Sequence, residues 1–387
     1  MTATERLAKP QFRSARNAVI AALLRNKQLA RSELSKITGV SPAAITEVTQ
    51  AFLQRDLLAE LPVRTTGRQR GRPTVQLQLQ ASHAYFLGIS IDPSAISMVI
   101  TDLHGRVIEH MVLPGPDTPE RLVAEARTAF NSLLRSIKIP RSRMQGVGIT
   151  ITGIVNADEG ICRYSAALGW RDIPVARMLT KALRLPAWVE NDANAVAVGE
   201  KFFGSARGME SFTSVMLGPT IGSAHFVHGK LYRGYDDSAG EIGHITVVPK
   251  GTLCRCGRYG CLDTIAGGYA LRMAAEAEGM KITSMRDLEE RASRSETRAS
   301  RLLRAAGNGL GLAVASLVHL NNPQAVLFTD IEGFDNGVFR TAALRAIENN
   351  VMPRFLQSTQ IIFGKAEENL LARSAASVAA FAYLNSI

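Results

Sequence analysis

Apolar positions along the first eighty residues recur at helical spacing and then give way to alternation. Val19, Ile20, Leu23 and Leu24 share one face of a helix predicted from Arg13 to Arg25, closed by Asn26-Lys27. A second helix is predicted from Arg31 to Thr38 and ends at Gly39-Val40. Ser41-Pro42 then starts a third, because a serine hydroxyl caps an orphan backbone N–H and proline at the first helical position sacrifices no donor. In this helix, which runs to about Arg55, Ile45, Val48 and Phe52 face inward, leaving Ala43, Thr46, Glu47, Thr49 and Gln50 outside. Extended stretches follow at Leu57–Val63 and Val75–Gln80, bracketing TTGRQRGRPT. Two helices across a short glycine turn, followed by a two-stranded wing, make a winged helix-turn-helix over residues 1–82.

Beyond Ser82 the pattern changes to strands and helices. Tyr85–Ile91, Ala95–Asp102 and Val107–Leu113 read as consecutive strands, followed by a helix from Pro119 to Ile137 and an apolar strand from Gly146 to Ile151. Ser211–Val227 opens a second set of strands, so two α/β lobes are expected, 83–190 and 191–367, with a C-terminal helix at about 368–387 returning to the first. The apolar helices Gly307–Val318 and Leu370–Leu384 are assigned to core rather than interface. The longest apolar runs fall short of the ~20 residues that a bilayer crossing needs, and no signal peptide is evident, so the expected compartment is the cytoplasm.

Charge sharpens this division. Residues 1–80 hold 13 Lys and Arg against five Asp and Glu, which is +8 of the chain's net +11. A basic module on a nearly neutral body points to a polyanionic partner, here double-stranded DNA. Pro42, Ala43, Ala44, Thr46, Glu47 and Gln50 are the candidate major-groove contacts, with Gln50 suited to adenine and the small residues to thymine methyls. No Lys or Arg falls between Lys36 and Arg55, so cationic contacts are assigned to the wing, where Arg68, Arg70 and Arg72 flank Gly71 and suit a narrow minor groove.

The chemistry-bearing segment is GEIGHITVVPKGTLCRCGRYGCLD. Cys254, Cys256 and Cys261 lie within eight residues, and His244 stands ten positions before the first. One imidazole and three thiolates make a closed tetrahedral site for a structural Zn2+, one per chain; disulfide pairing of the three would leave an odd thiol. Cys162 stands apart and reads as a small buried hydrophobe.

SAGEIGHITV followed by CRCGRYGCLD, with VENDANAVAVGE and LGWRDIPV, resembles the ROK family of repressors, open reading frames and sugar kinases. The resemblance covers Tyr85 to the C-terminus, and the winged helix matches the family's repressor branch. It implies a two-lobed, actin-like ATPase fold built of ribonuclease-H-like lobes around a sugar cleft. Zinc on His244, Cys254, Cys256 and Cys261 is implied too, as are sugar contacts at Asn191, Asp192, Glu241, His244 and Asp263. Asp192 stands where the kinases place their base, although Glu190-Asn191-Asp192 also reads as a helix N-cap.

Departures from the family pattern bear on activity. The D-x-G-x-T phosphate turn reads Ser90-Ile91-Asp92-Pro93-Ser94 here, with Asp92 in the place of the glycine, the second phosphate loop reads Gly218-Pro219-Thr220-Ile221-Gly222, and the adenosine-side diglycine is replaced around Thr329-Asp330-Ile331. An added carboxylate, a lost N–H donor and added bulk each oppose ATP, so no catalytic residue is expected and Asp192 would be a vestigial base. Asp263 replaces a usual Glu, and Ala167 a frequent Asn. The reading is a bacterial, nucleoid-associated, sugar-responsive repressor acting as a homodimer or higher homo-oligomer on a palindromic operator, with no membrane partner. Its rivals are a ROK sugar kinase with a DNA-binding appendage and a sugar-insensitive repressor with a vestigial pocket.

Overall fold

The computed structural model describes residues 15–61, 75–334, 337–365 and 367–387. Arg68, Arg70 and Arg72, the expected wing contacts, lie outside the described residues. The chain forms two units, 1–208 with 371–387, and 209–370.

The first unit opens with α1 (Ala15–Asn26), β1 (Gln28–Ala30), α2 (Arg31–Thr38), α3 (Pro42–Gln54), β2 (Leu58–Leu61) and β3 (Gln76–Leu79). The boundaries follow from local chemistry. Gly39 ends α2 in the left-handed region at φ 71°, and the Ser41 side chain accepts from the Ala44 amide at the start of α3. β3 lies between β1 and β2, antiparallel to both. Thr49 corrects the expected outward face of α3. It is fully buried, and its hydroxyl accepts from Arg31 Nε at 3.1 Å and donates to the Thr46 carbonyl.

The chain continues through β4 (Tyr85–Ile91), β5 (Ala95–Asp102), β6 (Val107–Pro114), α4 (Pro119–Ser136), β7 (Met144–Ile151), β8 (Ile154–Asn156), β9 (Ile161–Ser165), β10 (Trp170–Ile173), α5 (Val175–Leu183), β11 (Ala187–Asn191) and α6 (Asp192–Phe202). The main sheet is ordered β11-β7-β4-β5-β6, with β8, β9 and β10 in a small antiparallel sheet beside it. The second unit contains β12 (Phe212–Leu217), β13 (Ile221–Val227), β14 (Lys230–Tyr232), α7 (Asp263–Ala266), α8 (Gly268–Ala277), α9 (Met285–Ser293), α10 (Thr297–Asn321), β15 (Ala325–Asp330), α11 (Val338–Asn350), α12 (Pro353–Ser358) and β16 (Gln360–Lys365). Its sheet is ordered β14-β13-β12-β15-β16. The last helix, α13 (Leu370–Ser386), rejoins the first unit.

The two sheets repeat one plan. A first strand (β4, β12) pairs with an antiparallel neighbour on one side and with a parallel strand on the other, and each side carries one further strand. The first unit extends to Gly208 rather than ending at 190, because α6 after β11 packs there, with Gly199 against Ser374 of α13.

Among the described residues, the amino-terminal module shares its core with the rest of the first unit. Val19, Leu23, Leu34, Ile45, Phe52, Leu77 and Leu79 belong to one buried cluster with Phe86, Val99 and Leu103 of the sheet and Ala372, Ala376, Ala379 and Ala380 of α13. α13 in turn rests directly on the strands. A Cβ at Gly88 would stand 1.9 Å from the Ala372 carbonyl oxygen, and one at Gly148 would stand 1.7 Å from that of Ala375. The segments Gly307–Val318 and Leu370–Leu384 are indeed mostly buried. Among the described residues no helix is long and apolar enough to cross a membrane.

Candidate functional site

In the first unit, the β11–α6 junction presents Asn191 and Asp192. Asn191 is the N-cap of α6; its side-chain oxygen accepts from the Asn194 amide, and its Nδ2 donates to the Gly153 carbonyl at 2.9 Å. Asp192 is buried. One carboxylate oxygen accepts from the Ala193 amide at 2.8 Å, and the other accepts from the Thr152 hydroxyl at 2.7 Å. Thr152 and Gly153 form the turn after β7. Gly153 has φ 142°, and a Cβ there would meet the Tyr164 carbonyl oxygen at 2.3 Å, so this backbone path requires glycine. Asn191 is thus the helix N-cap, and Asp192 is the acidic residue of the first turn. Thr152 escaped the sequence reading, although the Thr-Gly pair just after an apolar strand was its visible signal.

In the second unit, Glu241 precedes a short 3-10 turn, Ile242–His244. Gly240 before it, at φ 97°, lies against the Ser223 carbonyl of β13. His244 Nε2 stands 3.7 Å from a Glu241 carboxylate oxygen, and Nδ1 faces the cysteines at 3.5 Å from Cys254 Sγ. Cys256 and Cys261 sulfurs are 3.6 Å apart, and the four ligand atoms all lie within 4.8 Å of one another. Gly260 has φ 75°, and a Cβ there would meet the Val248 carbonyl oxygen at 1.7 Å, so the loop that folds back between the thiols requires glycine.

The donor set fits a metal ion. Zinc–sulfur bonds of about 2.3 Å and zinc–nitrogen bonds of about 2.0–2.1 Å imply tetrahedral edges of about 3.8 Å between sulfurs and about 3.6 Å from sulfur to nitrogen. The spacings above match these edges. Burial pushes the Cys261 thiol up to about 12, while the Arg258 backbone holds the exposed Cys256 below its ordinary value. Holding these three sulfurs together as thiolates would need a cation to neutralise them. The isolated Cys162 is fully buried, and burial raises its thiol to about 11, as suits a packing residue.

Asp263, first residue of α7, is largely committed to the protein. One carboxylate oxygen accepts from the Ile221 amide at 2.7 Å and the other lies 3.5 Å from Arg255 Nη2. Burial raises its carboxyl above the ordinary range, against the opposing pull of that amide and of Arg255.

In the amino-terminal module, α3 exposes Pro42, Ala43, Thr46, Glu47 and Gln50, with Ala44 half-buried. The Thr46 hydroxyl donates to the Pro42 carbonyl at 2.8 Å, and Arg31 is paired with Glu60 at 2.9 Å beneath the helix.

Residues 86–376 match the description of the ROK family. The chain belongs to the ROK family. It is 24% identical over 362 residues to a xylose repressor of Bacillus spizizenii, covering 92% of each chain. Its fold is that of a solved ROK family transcriptional regulator, a homolog of the E. coli MLC protein, at 23% identity and a TM-score of 0.81, covering 96% of this chain and 98% of that one. A solved ROK family glucokinase from Streptomyces griseus, in complex with glucose and AMPPNP, is 24% identical with a TM-score of 0.65, covering 76% of this chain and 99% of its own. The two-lobed α/β architecture expected of a ROK chain is thus the one observed.

Proposed function

We propose that this ROK protein is a sugar-responsive DNA-binding transcriptional repressor. The observation that carries the reading is coverage. A xylose repressor matches 92% of this chain and of itself, whereas the glucokinase is matched almost whole yet leaves about a quarter of this chain unmatched. The excess is the size of the basic amino-terminal module. In this reading α3 lies in the major groove and offers Ala43, Thr46, Glu47 and Gln50 to base edges, while Arg68, Arg70 and Arg72 approach the backbone or minor groove. A palindromic operator read by a homodimer follows from the two-fold symmetry such sites require, and the setting is the bacterial cytoplasm.

Asn191, Asp192, Glu241, His244 and Asp263 are the proposed contacts of a sugar effector, since carboxylates and amides suit vicinal hydroxyls. The metal on His244, Cys254, Cys256 and Cys261 is proposed to be zinc, which supplies rigidity when bound by four protein ligands. With Nδ1 turned to the metal, the His244 Nε2 proton is left for Glu241 or a sugar hydroxyl.

A sugar-kinase reading is favoured by one observation, the buried Asp192 carboxylate held by Thr152. The nucleotide-side loops weigh against it. Asp92 caps its own turn through Ser94; the Gly218 and Pro219 carbonyls accept from the Gly268 and Tyr269 amides at the start of α8. Asp330 accepts from the Glu332 and Gly333 amides, and Glu332, paired with both Arg272 terminal nitrogens, lies flat on Gly268.

The test is fluorescence anisotropy on duplexes selected from a random pool by the full-length protein, repeated with D-xylose, D-glucose and N-acetyl-D-glucosamine. Specific binding weakened by one sugar is expected, with Asp192→Ala keeping DNA affinity and losing the response. Changes at Thr46 or Gln50 should alter sequence preference more than salt dependence. ATP-dependent phosphorylation of any of these sugars, lost in Asp192→Asn, would overturn the reading.

A further inference from the structure

One polar contact joins α1 of the amino-terminal module to the far end of the segment that Asn191 and Asp192 begin. Arg25, in the last turn of α1, donates from Nη2 to the Gly208 carbonyl at 2.8 Å, across 183 positions of sequence. Gly208 has φ 86°, and a Cβ there would lie 3.5 Å from Arg25 Nε, so the guanidinium lies directly over a left-handed glycine. Gly208 is also the last residue before the chain enters the second unit.

Between Asp192 and Gly208 the chain is stiff. α6 is buried from Asp192 through Val198. Its end is anchored by Phe202 stacked on Phe381 of α13, with ring centroids 4.1 Å apart. The following turn is tied back onto the helix at nearly every step. The Ser205 amide donates to the Glu200 carboxylate at 2.7 Å, the Ala206 amide to the Glu200 carbonyl at 3.2 Å, and Arg207 Nη2 to the Phe202 carbonyl at 2.9 Å. Ala206 is fully buried. A shift of the α6 N-terminus would therefore have a packed and hydrogen-bonded path to Gly208.

We propose that Arg25 is a positioning residue of the DNA-reading module. Its hold on the Gly208 carbonyl passes the state of Asn191 and Asp192, and of the chain's entry into the second unit, to α1. The proposal rests on the repressor reading above for what is bound at either end. A ligand that favours one position of α6 then favours one orientation of α1, and α1 packs against α3 through Val19, Leu23, Ile45 and Phe52.

The test uses full-length protein and two substitutions that break the contact from opposite sides. Arg25→Ala removes the donor. Gly208→Ala keeps every cation, so it separates the contact from any phosphate contact Arg25 makes, and it strains the left-handed turn that presents the carbonyl. In the wild type, the operator dissociation constant is expected to rise about 5- to 150-fold on adding whichever of D-xylose, D-glucose or N-acetyl-D-glucosamine binds, the usual range of coupling between sites. In both variants that ratio should fall below about twofold, while calorimetry shows the sugar still bound and anisotropy shows the operator still bound. Retention of the full ratio in either variant overturns the proposal. A ligand-free measurement stands beside it: amide exchange across 203–208 and the last turn of α1 should accelerate in Arg25→Ala, and unchanged exchange there also overturns it. A wild type that binds operator but ignores all three sugars sinks the effector reading, and the exchange result alone then decides the role of Arg25.

Discussion

Replacing Gly148 with alanine should loosen the amino-terminal module without touching it. Gly148 lies in β7, and the added methyl would stand 1.7 Å from the Ala375 carbonyl oxygen of α13. Carbon and oxygen rest at about 3.5 Å, so strand and helix must part by well over 1 Å, and the obstacle is backbone, which no rotamer change removes. Overpacking of this kind costs about 1–3 kcal/mol. At about 2–4 °C per kcal/mol for a unit of this size, melting should fall by roughly 2–12 °C. The loss should not stay in the sheet. The same helix sends Ala372, Ala376, Ala379 and Ala380 into the cluster that holds α1 and α3, so amide exchange in α1 should accelerate as well. Gly199→Ala is the internal control. Its methyl would meet the Ser374 hydroxyl at 3.3 Å, a side chain that can turn away, and alanine gains about 1 kcal/mol of helix propensity over glycine within α6. That variant should melt near the wild type. A Gly148→Ala protein that melts with the wild type, or a Gly199→Ala protein that suffers more, would refute the reasoning.

Elemental analysis of purified protein should find one zinc per chain, and Cys261→Ser, at a fully buried ligand, should lose the metal and unfold the loop 240–263; a zinc-free protein of unchanged stability would contradict the assignment. Stability should also depend on His83, which bonds Tyr383 at 2.9 Å where the amino-terminal module joins β4. Burial, then the Arg143 charge, lower its pKa below the ordinary 6.5. The unfolded chain therefore takes up the proton first, so this contribution is complete above pH 6.5 and is lost as pH falls from there towards the lowered value. Urea titrations at several pH values should show a smaller acid loss in His83→Gln than in the wild type, and equal losses would exclude His83 as the cause.

Much of this fold was legible because its signals are local. Gly39, Ser41 and Pro42 mark the end of α2 and the start of α3 within one tetrapeptide, and the apolar runs of β4 and β5 are bounded by the Asp92-Pro93-Ser94 turn and by Asp102. The metal cluster was legible because three thiols fall within eight residues and two glycines reverse the chain between them. What escaped depends on distant partners. β1 has three residues and exists only through its register with β3. Thr49 is polar and sits on a helical face that looked outward, yet Arg31 arrives from α2 to satisfy it. The end of the first unit was placed at the Asn191 cap, a strong local signal, but α6 beyond it belongs with α13, which comes much later in the chain. The repeated sheet plan is a property of pairing order, which no residue type encodes.

The core that α1 shares with α13 also sets a clock. α1 spans Ala15–Asn26 and α13 spans Leu370–Ser386, so the two partners leave the ribosome more than 300 residues apart. At about 5–20 residues per second, that interval is about 20–70 s. Throughout it Val19, Leu23 and their neighbours lack the alanine face that covers them, and the nascent module remains an incomplete cluster. A chain still being made thus carries an unfinished amino-terminal module, which closes only when its last helix is added.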